Sequence, residues 1–543
     1  MSKRFDFVEF SIEIDYNDTT ARVRGCFCYV FLYVLSAGLK ENDVTDKEHL
    51  GFPGGKQMRG SNLTLLTDFY ELTMMQGYFK AQNTNTVVFD AFYRKNPFES
   101  GYAIACGLEQ VIEYIKNLHF TYEDIQYLRS LNTFDDDFLD YLSSYHFTGD
   151  IYAIPEGTVV FPHEPLVKVV APIMEAQLLE AAILNIINHQ SLIATKASRV
   201  VYAAGGGVME FGLRRAQGPD AGILGARAAC IAGCVGTSNV LAGQMFGVGV
   251  KGTHAHSWVM SFPDEYTAFK TYAELYPDAC ILLADTYDTL DSGVPNAIRV
   301  FKEMKAEGKK LGMYGIRLDS GDLAYLSKKA RKMLDDAGFP DAIISASSDL
   351  DENLIFSLKT QGAQITSWGV GTNLITAKDC PSFGGVYKLV AMQDDKTGEF
   401  IPKIKVSENI EKITNPGNKT VFRLYSKETG KIIGDLIAMA DEKYTEDEDI
   451  LLFDPMSTWK QTHVKAGTFT IRELLVPIFK KGVCVYEEPT VPEITENCAK
   501  ELNTLWEETR RLVNPNKVYV DLSKKLYKVK KELLDEAAGI DLN

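Results

Sequence analysis

Short apolar runs alternate with helical patterns through the middle of the chain. Six of these runs have the length of buried strands: Val208–Phe211, Gly249–Gly252, Cys280–Ala284, Met313–Arg317, Ala342–Ala346 and Ser367–Gly369. Three helical patterns between them are each followed by a glycine of the kind that ends helices: Asn296–Glu307, Leu323–Ala337 and Asp351–Lys359. Repeated strand–helix units predict a parallel sheet, and a run of six favours closure into a barrel. Gly384–Met392 is expected to add a further strand.

The chain has a different pattern on either side of this section. Upstream, an amphipathic helix from Leu108 to Leu118 and a long helical stretch over 173–203 flank short strands. Downstream, antiparallel strands are expected from about Gln393 and a charged helical tail from about Glu493. We therefore predict an N-terminal α/β domain (61–205), a barrel (206–392) and a C-terminal region that packs on the N-terminal domain (393–543).

Residues 1–60 do not share these patterns. The apolar run Cys26–Leu35 is too short for a membrane span, which needs about 20 residues. The acidic residues before it make a poor secretory leader, and loop-like sequence follows from Gly51. We expect this segment to lie outside the main fold and expect no membrane partner. Our hypothesis is that Met58 is the native start and that the upstream segment is not native.

Composition narrows the choice of partner. The chain has 543 residues, of which 45% are hydrophobic and 24% charged, as is ordinary for a soluble enzyme. Its net charge of -16 argues against a nucleic-acid partner, because phosphate backbones require basic patches. A small phosphorylated substrate stays open, since a few arginines and backbone amides can form a local anion site. The nine dispersed cysteines are expected to be reduced thiols in the cytoplasm rather than metal ligands.

Polar residues follow the predicted strands, at the edge of a parallel barrel where catalytic residues lie. After the first strand come Arg214 and Arg215, which suit either an anion receptor or a pair of surface salt bridges. After the second, Thr253 stands beside His254 and His256. Two histidines there suit a metal pair, a base or a phosphate-accepting nucleophile, although no third metal ligand lies nearby in the sequence.

Carboxylates follow the third and fourth predicted strands. Asp285 and Asp319 occupy positions where carboxylates can hold magnesium on a pyrophosphate or grip ribose hydroxyls. Asp322 is better placed to cap the helix that begins at the next residue. We therefore favour a functional role for Asp319 and a structural one for Asp322.

The last two strand ends carry small residues. The fifth has a polar turn that contains Ser348, and the sixth has Gly371 and Thr372. Glycine lets backbone N–H groups approach a phosphate closely, and late strands of barrels commonly hold one. Together, the strand ends predict a phosphorylated sugar substrate bound beside an anion, without naming the acceptor base.

Several of these strings closely resemble the nicotinate phosphoribosyltransferase family. The most specific pair is Phe-Gly-Leu-Arg-Arg-Ala-Gln-Gly at 211–218 and Thr-His-Ala-His-Ser at 253–257, and further matches occur at 65–74, 238–243, 285–289, 317–322 and 368–372. The resemblance covers nearly everything from Leu63 to the C-terminal region. It implies the type II phosphoribosyltransferase fold, an irregular (β/α) barrel joined to an N-terminal α/β domain. It also implies a homodimer with active sites at the subunit interface.

The family's nicotinate-binding positions fall on four residues of this chain. Tyr70 resembles the aromatic residue that packs on the nicotinate ring, either within one subunit or from the neighbouring one. Arg214 resembles the arginine near the nicotinate carboxylate. Thr253 and Arg317 fall where the family places further nicotinate contacts.

The phosphoribosyl side of the site is implied in the same way. His256 resembles the histidine that ATP phosphorylates, and His254 is interpreted as its support. Asp319 matches a catalytic carboxylate on the phosphoribosyl side. The remaining positions expected to bind phosphoribosyl or phosphate are Asp285, Ser348, Gly371 and Thr372.

The implied activity is ATP-dependent transfer of phosphoribosyl from phosphoribosyl pyrophosphate to nicotinate, with Mg²⁺ as cofactor. The products would be nicotinate mononucleotide and pyrophosphate, in NAD salvage. Nicotinamide phosphoribosyltransferase is the nearest alternative, but Arg214 and Arg215 favour an acid over a neutral amide. A catalytically silent, ligand-binding barrel is the alternative from another class. Quinolinate phosphoribosyltransferase fits less well, because it needs no phosphorylatable histidine.

Overall fold

The computed structural model describes residues 2–7, 10–15, 62–455 and 457–539. The chain divides into two compact units, residues 1–57 and 58–543. In the first unit, the strands β1 (Ser2–Phe7) and β2 (Phe10–Asp15) pair in antiparallel fashion. The apolar run Cys26–Leu35 and the hypothetical start at Met58 lie outside the described residues.

The N-terminal part of the second unit mixes helices with short antiparallel strands. Its elements are α1 (Phe69–Lys80), β3 (Thr86–Tyr93), β4 (Ala103–Ile104), α2 (Leu108–Lys116), α3 (Tyr122–Ser130), α4 (Asp136–Ser143), β5 (Asp150–Ala153), β6 (Val159–Val160), β7 (Val167–Pro172), α5 (Ile173–Leu178) and α6 (Glu180–Ala204). Helix α2 buries the face on which Val111, Ile112 and Ile115 recur at helical spacing. The long helix predicted over 173–203 is present in two pieces, α5 and α6, separated by Leu179. No helix among the described residues combines the length and apolar character needed to span a membrane.

A parallel sheet follows. Its strands and the helices around it are β8 (Val208–Glu210), α7 (Pro219–Ile231), α8 (Val240–Phe246), α9 (His256–Met260), α10 (Glu265–Leu275), β9 (Ala279–Leu283), α11 (Val294–Ala306), β10 (Met313–Leu318), α12 (Leu323–Asp336), β11 (Ile343–Ala346), α13 (Glu352–Thr360), β12 (Ser367–Val370) and α14 (Thr372–Ile375). The strand order is β8–β12–β11–β10–β9, all parallel. Five of the six predicted barrel strands are therefore regular strands of one parallel sheet.

The wall of the barrel continues past β8 in an irregular form. Thr237 makes single parallel bridges to Glu210 and to Val250, so the predicted run Gly249–Gly252 contributes one bridge rather than a strand. The segment after Val250 reaches the opposite edge of the sheet, where the N–H of Leu283 on β9 donates to Nε2 of His254 at 3.2 Å. A side chain thus joins the two edges in place of a backbone ladder.

The C-terminal part adds strands that pair in antiparallel fashion, except for β22, which pairs in parallel with β16, and three helices. Its elements are β13 (Gly385–Gln393), β14 (Phe400–Pro402), β15 (Lys419–Ser426), β16 (Ile432–Met439), β17 (Ile450–Phe453), β18 (Gln461–Val464), β19 (Phe469–Glu473), β20 (Val476–Lys480), β21 (Val483–Cys484), α15 (Val491–Thr504), α16 (Glu507–Arg510), β22 (Val520–Leu522) and α17 (Lys524–Ala537). One sheet of seven strands runs β14–β13–β3–β7–β5–β20–β21, and another runs β19–β15–β16–β22. Strand β13 pairs antiparallel with β3, so it belongs to the seven-stranded sheet and not to the barrel.

Two fully buried arginines connect these parts. Arg227 on α7 pairs with Glu109 at 2.6 Å and with Glu156 at 2.8 Å, both in the N-terminal part. Arg423 on β15 pairs with Asp435 on β16 at 2.6 Å and donates to the carbonyl of Val159, in the N-terminal part, at 2.7 Å. Because a buried charge without a partner is strongly destabilising, these carboxylates are what allow both guanidinium groups to lie in the interior.

Candidate active site

The turn after β8 presents two arginines at the carboxyl edge of the parallel sheet. Gly212 allows this turn to pass close to α14, because a Cβ at that position would collide with the side chain of Ile375. The chain then makes a short 3₁₀ turn over Leu213–Arg215. Arg214 and Arg215 are exposed, and within the described residues neither has a carboxylate at ion-pair distance. Their positive charge is therefore available to a ligand.

Arg317, near the end of β10, has an incompletely satisfied guanidinium group. One terminal nitrogen donates to the hydroxyl of Thr253, whereas Nε is buried and has no hydrogen-bond partner among the residues described. Burial lowers the pKa of Arg317, the charge of Arg214 lowers it further, and Asp319 and Asp285 oppose this effect. A buried donor without a partner costs about 1–3 kcal/mol. The geometry therefore favours an anionic or otherwise hydrogen-bond-accepting ligand at this position.

His256 and Asp285 form a hydrogen-bonded pair between two turns. Nε2 of His256, the first residue of α9, lies 3.3 Å from one carboxylate oxygen of Asp285. The other oxygen accepts from the N–H of Asp319 at 3.0 Å and from the hydroxyl of Ser320 at 2.6 Å. The Asp285 side chain is 2% exposed and that of His256 is 40% exposed. A fixed, buried carboxylate thus orients an imidazole that remains accessible.

Asp319 connects this pair to the end of β11. One of its carboxylate oxygens accepts a hydrogen bond from the hydroxyl of Ser347. The next residue, Ser348, is exposed and has a φ of 107°, a value that residues other than glycine rarely adopt. Such strain persists only where the surrounding structure imposes it, and it is concentrated at functional sites.

The turn after β12 approaches the arginine turn closely. The N–H of Phe211 donates to the carbonyl of Val370 at 2.8 Å. A Cβ on Gly369 would lie 2.6 Å from the ring of Phe211, and a Cβ on Gly371 would lie 3.1 Å from its carbonyl oxygen. Thr372 then begins α14. The two glycines allow this approach, so Gly371 and Thr372 lie at the same edge as the arginines.

His254 differs from its neighbour His256. It is buried, its ring packs edge-on against that of Tyr272 at a centroid distance of 4.7 Å, and its Nε2 accepts from Leu283. Burial lowers the pKa of His254 to about 4, so the ring is neutral near pH 7. The contacts of His254 are those of a structural residue that holds the histidine turn against β9.

Tyr70 lies on α1, outside the set of strand ends. It is partly exposed, and burial together with the charges of Glu180 and Glu71 raises the pKa of its hydroxyl. Within the described residues, no hydrogen bond or ring contact joins Tyr70 to the barrel turns. The structure therefore brings together Arg214, Thr253, Arg317, His256, Asp285, Asp319, Ser348, Gly371 and Thr372 at the carboxyl edge of one sheet, and leaves Tyr70 apart from them.

Sequence reasoning missed Glu210, the last residue of β8. Its carboxylate is fully buried, with one oxygen accepting from the N–H of Gly212 and the other from the hydroxyl of Thr237 at 2.6 Å. Burial raises the pKa of the Glu210 carboxyl. A glutamate at the end of an apolar strand, directly before an arginine-rich turn, is the signal that could have identified it.

The described residues include no group of three or more histidine, cysteine, aspartate and glutamate side chains arranged to hold a metal ion. Asp285 and Asp319 are neighbouring carboxylates at the barrel edge. Magnesium usually keeps several waters and takes only one or two protein carboxylates when it is bound to substrate phosphates. The two aspartates fit that kind of shared site and would not form an all-protein one.

The structural comparisons define the class of enzyme. The crystal structure of human nicotinic acid phosphoribosyltransferase is similar to this chain with a TM-score of 0.75 and 30% identity, over 86% of this chain and 99% of that one. A nicotinate-nucleotide pyrophosphorylase from Pyrococcus furiosus shares the fold with a TM-score of 0.61 and 23% identity, over 83% of this chain and 98% of that one. The chain is thus an α/β enzyme with the type II phosphoribosyltransferase fold, which confirms the predicted fold class.

Sequence comparison then identifies the family. The N-terminal domain of nicotinate phosphoribosyltransferase (NAPRTase) matches residues 65–188, the NAPRTase family matches 207–415, and the C-terminal domain matches 418–530. Nicotinate phosphoribosyltransferase of Bacillus subtilis is 48% identical over 480 residues, which cover 88% of this chain and 96% of the relative. The chain belongs to the nicotinate phosphoribosyltransferase family.

Proposed function

We propose that this enzyme transfers phosphoribosyl from phosphoribosyl pyrophosphate to nicotinate and couples the transfer to ATP hydrolysis. The products are nicotinate mononucleotide and pyrophosphate, and the reaction serves NAD salvage. The observation that carries the proposal is the linked set of Arg317, Thr253, His256, Asp285 and Asp319 at one barrel edge. This set unites a cation for an acid, an accessible imidazole and carboxylates beside a glycine turn.

The nicotinate carboxylate is bound by arginine in this proposal. Arg214 has no internal carboxylate partner among the described residues, and Arg317 has a buried Nε without an acceptor, so both groups gain from an anionic ligand. Thr253, already hydrogen-bonded to Arg317, fixes the guanidinium group and adds a polar contact. A neutral amide would leave these cations without a counter-charge, and the proposal therefore favours the acid over nicotinamide.

The transfer itself is a displacement at the anomeric carbon of the ribose. The pyridine nitrogen of nicotinate forms the new bond to that carbon while its bond to the pyrophosphate oxygen breaks and the electron pair leaves with pyrophosphate. Positive charge develops on the ribose, and the Asp319 carboxylate, held by Ser347, is placed to stabilise it. The turn after β11, with Ser348, and the turn after β12, with Gly371 and Thr372, supply polar groups for the phosphoribosyl phosphate.

ATP phosphorylates His256 in the proposed coupling step. When the ring donates from Nε2 to Asp285, Nδ1 carries the lone pair that forms the bond to the γ-phosphorus, while the bond from that phosphorus to the bridging oxygen breaks and ADP leaves. Asp285 also accepts from the N–H of Asp319 and from Ser320, so a change at His256 reaches the phosphoribosyl side directly. Hydrolysis of the phosphohistidine then drives product formation.

Magnesium belongs to this proposal as a cofactor. When bound, it neutralises the charge of the departing pyrophosphate. Asp285 and Asp319 are the residues that would hold it, together with the substrate's phosphate oxygens. Asp285 already accepts hydrogen bonds at both oxygens, which leaves Asp319 as the better-placed ligand.

A homodimer completes the proposed site. Exposed apolar side chains stand at Val240, which begins α8, at Val250, at Met260, which ends α9, and on α1, at Phe69 and Tyr70. Such side chains would gain from burial against another chain. Tyr70 from one subunit would then reach the nicotinate ring in the other. We also place the enzyme in the cytoplasm, where the seven cysteines of the described region, all free, would remain reduced.

The test is a product assay with nicotinate or nicotinamide, each with and without ATP, at fixed phosphoribosyl pyrophosphate and Mg²⁺. We expect conversion of nicotinate, stimulation by ATP, and little conversion of the amide. His256→Ala should abolish ATP hydrolysis and the stimulation of transfer by ATP, while slow ATP-independent transfer continues. His463→Ala, at an exposed histidine on β18, is the matched control and should behave as the unchanged protein.

Each outcome decides one part of the proposal. Preference for nicotinamide would overturn the assignment of substrate. ATP coupling that survives in His256→Ala would overturn the role of that histidine. Absence of transfer to either base would instead support the silent barrel.

A further inference from the structure

Glu210 lies between the arginine turn (211–215) and the irregular wall of the barrel at Thr237. Its backbone makes ordinary strand-like hydrogen bonds. Its N–H donates to the carbonyl of Gly236 at 2.9 Å, and its carbonyl accepts from the N–H of Ser238 at 3.0 Å. Its carboxylate makes two further hydrogen bonds, to the N–H of Gly212 and to the hydroxyl of Thr237. Neither is needed to form the strand, so they call for a separate explanation.

The bond to Gly212 fixes the arginine turn. Gly212 lies two residues before Arg214, and a Cβ on Gly212 would lie 2.8 Å from the Glu210 carboxylate and would also collide with Ile375. The glycine backbone is therefore clamped between the carboxylate and α14, the helix that Thr372 begins. Through this contact, the position of Glu210 sets the position of the arginine turn relative to the turn that carries Gly371 and Thr372.

The bond to Thr237 fixes the histidine turn. The same hydroxyl accepts from the N–H of Asn239 at 3.0 Å. The Thr237 backbone pairs with the next segment of the wall, donating to Gly249 and accepting from Lys251, both at 2.9 Å. That segment leads directly to Thr253 and then to His256. A shift of Thr237 would therefore move the histidine turn.

Burial of a carboxyl group at this position costs free energy of folding. Glu210 is 0% exposed, and no cation among the residues described lies at ion-pair distance from it. A polar group in the interior is costly unless it is hydrogen-bonded, and only two neutral donors offset that cost here. A smaller polar side chain or an apolar one would reduce the free energy of unfolding less, but it could not reach the donors of Gly212 and Thr237 at once.

We infer that Glu210 is a positioning residue that holds the arginine turn and the histidine turn in a fixed relation, so that the nicotinate cation and the phosphoryl acceptor stay in register. The inference rests on the proposed function for its catalytic consequence. Its structural part concerns only how the two turns are held, and that part is measurable without any substrate.

The test compares Thr237→Val with Thr195→Val. Thr237→Val keeps the shape of the side chain and removes the hydroxyl that Glu210 accepts. Thr195 on α6 is an equally buried threonine whose hydroxyl donates to Ser191 at 2.7 Å and accepts from the N–H of Ile104 at 3.1 Å, away from the barrel edge. Glu210→Gln replaces one accepting oxygen by an amide NH2 group at constant volume, and Thr237→Ser restores the hydroxyl.

Hydrogen exchange of the whole protein is measured over 211–218 and 249–257, with the KM and kcat for nicotinate alongside. Thr237→Val and Glu210→Gln should speed exchange in both segments and raise the KM about tenfold, equivalent to ~1.4 kcal/mol. Thr195→Val and Thr237→Ser should leave the exchange of both segments and the KM within about twofold of the unchanged protein. Faster exchange in one segment only, or an unchanged KM in folded Thr237→Val, would overturn the inference.

Two further outcomes remain distinct. If the unchanged protein fails to convert nicotinate, the proposed function fails, while the exchange data still decide whether Glu210 couples the turns. If Glu210→Gln does not fold, Thr237→Val decides alone, because it keeps the Glu210 side chain and removes only the hydroxyl that donates to it.

Discussion

Two kinds of arginine in this chain show how one side chain serves either folding or binding. Arg227 and Arg423 are fully buried, and each pairs with a carboxylate at 2.6 Å. Arg214 and Arg317 lie at the barrel edge, where the described residues offer neither of them an ion pair and leave Nε of Arg317 without a partner. A paired arginine has its charge offset within the chain. An unpaired one keeps its donors for a ligand, so the pairing of arginines distinguishes the scaffold from the site.

Removing a paired arginine should have the largest effect. Arg423→Met strands the buried carboxylate of Asp435, and breaking a buried pair in this way costs about 3–5 kcal/mol of unfolding free energy. Chemical denaturation measures this loss. Arg129→Met is the control, because Arg129 pairs with Asp136 at the surface and should cost under about 1 kcal/mol. Equal losses in the two variants would break the comparison on its folding side.

Removing an unpaired arginine should affect binding and spare stability. Arg214→Ala deletes a proposed partner of the nicotinate carboxylate, and truncation of one member of a charge pair costs about 2–5 kcal/mol. Because Arg214 is exposed, we expect the lower end, a rise in KM of about 30-fold. Arg215→Ala removes the same charge from the same turn and should have a smaller effect. A lowered melting temperature with an unchanged KM would contradict the assignment of Arg214 to binding.

The buried histidine of the barrel, His254, extends the comparison to the pH dependence of stability. His254 has its pKa lowered from 6.5 to about 4 by burial, so the unfolded chain binds a proton there that the folded chain rejects. The contribution of the neutral His254 ring to the free energy of unfolding is complete above about pH 6.5. It is lost as the pH falls towards about 4, up to about 3 kcal/mol. His254→Gln should flatten this part of the stability–pH profile, measured by denaturation across that range. His463→Gln should leave the slope intact; an unchanged slope in His254→Gln would show that other groups, such as His163, set it.

The smallest effect should come from an aspartate that only caps a helix. Asp322 accepts the N–H of Tyr325 at 2.9 Å at the start of α12, and replacing such a cap by alanine costs about 1 kcal/mol. Asp322→Ala should therefore lower stability slightly and leave the kinetic constants unchanged. Asp351→Ala, which removes the equivalent cap of α13, should cost a similar amount. A large loss of kcat in Asp322→Ala would move this residue into the site.

The parallel strands could be predicted because buried strands of this kind are apolar on both faces. The run at 342–346 was placed within one residue of β11, and that at 313–317 within one residue of β10. Gly249–Gly252 gave the weaker result, since glycine disfavours a regular strand and a tertiary contact of His254 fixes that segment instead. The partner of β13 was also beyond prediction, because an apolar run does not specify which strand it joins.

The strand ends of the site could be predicted because parallel topology places them all at one edge. Which side chains bond there could not, since only loop geometry decides that His256 meets Asp285 while His254 meets Leu283. Glu210 and Arg227 were missed for another reason. A single buried charge in an apolar segment has no periodic pattern. The carboxylate partners of Arg227 and one partner of Glu210, Thr237, are also distant in sequence.

The seven-stranded sheet has a consequence for the order in which the protein is built. Strands β3, β5 and β7 are synthesised early, but their outer partners come later in the chain. Strand β3 pairs with β13, and β5 pairs with β20, which ends at Lys480. The barrel strands, in contrast, all come from one continuous stretch between Val208 and Val370. Until the late strands arrive, β3 and β5 expose open edges that can pair with other chains. The sheet that contains β3, β5 and β7 thus begins to be synthesised before the barrel but is completed after it. Synthesis therefore passes through a stage in which the edges at β3 and β5 need protection.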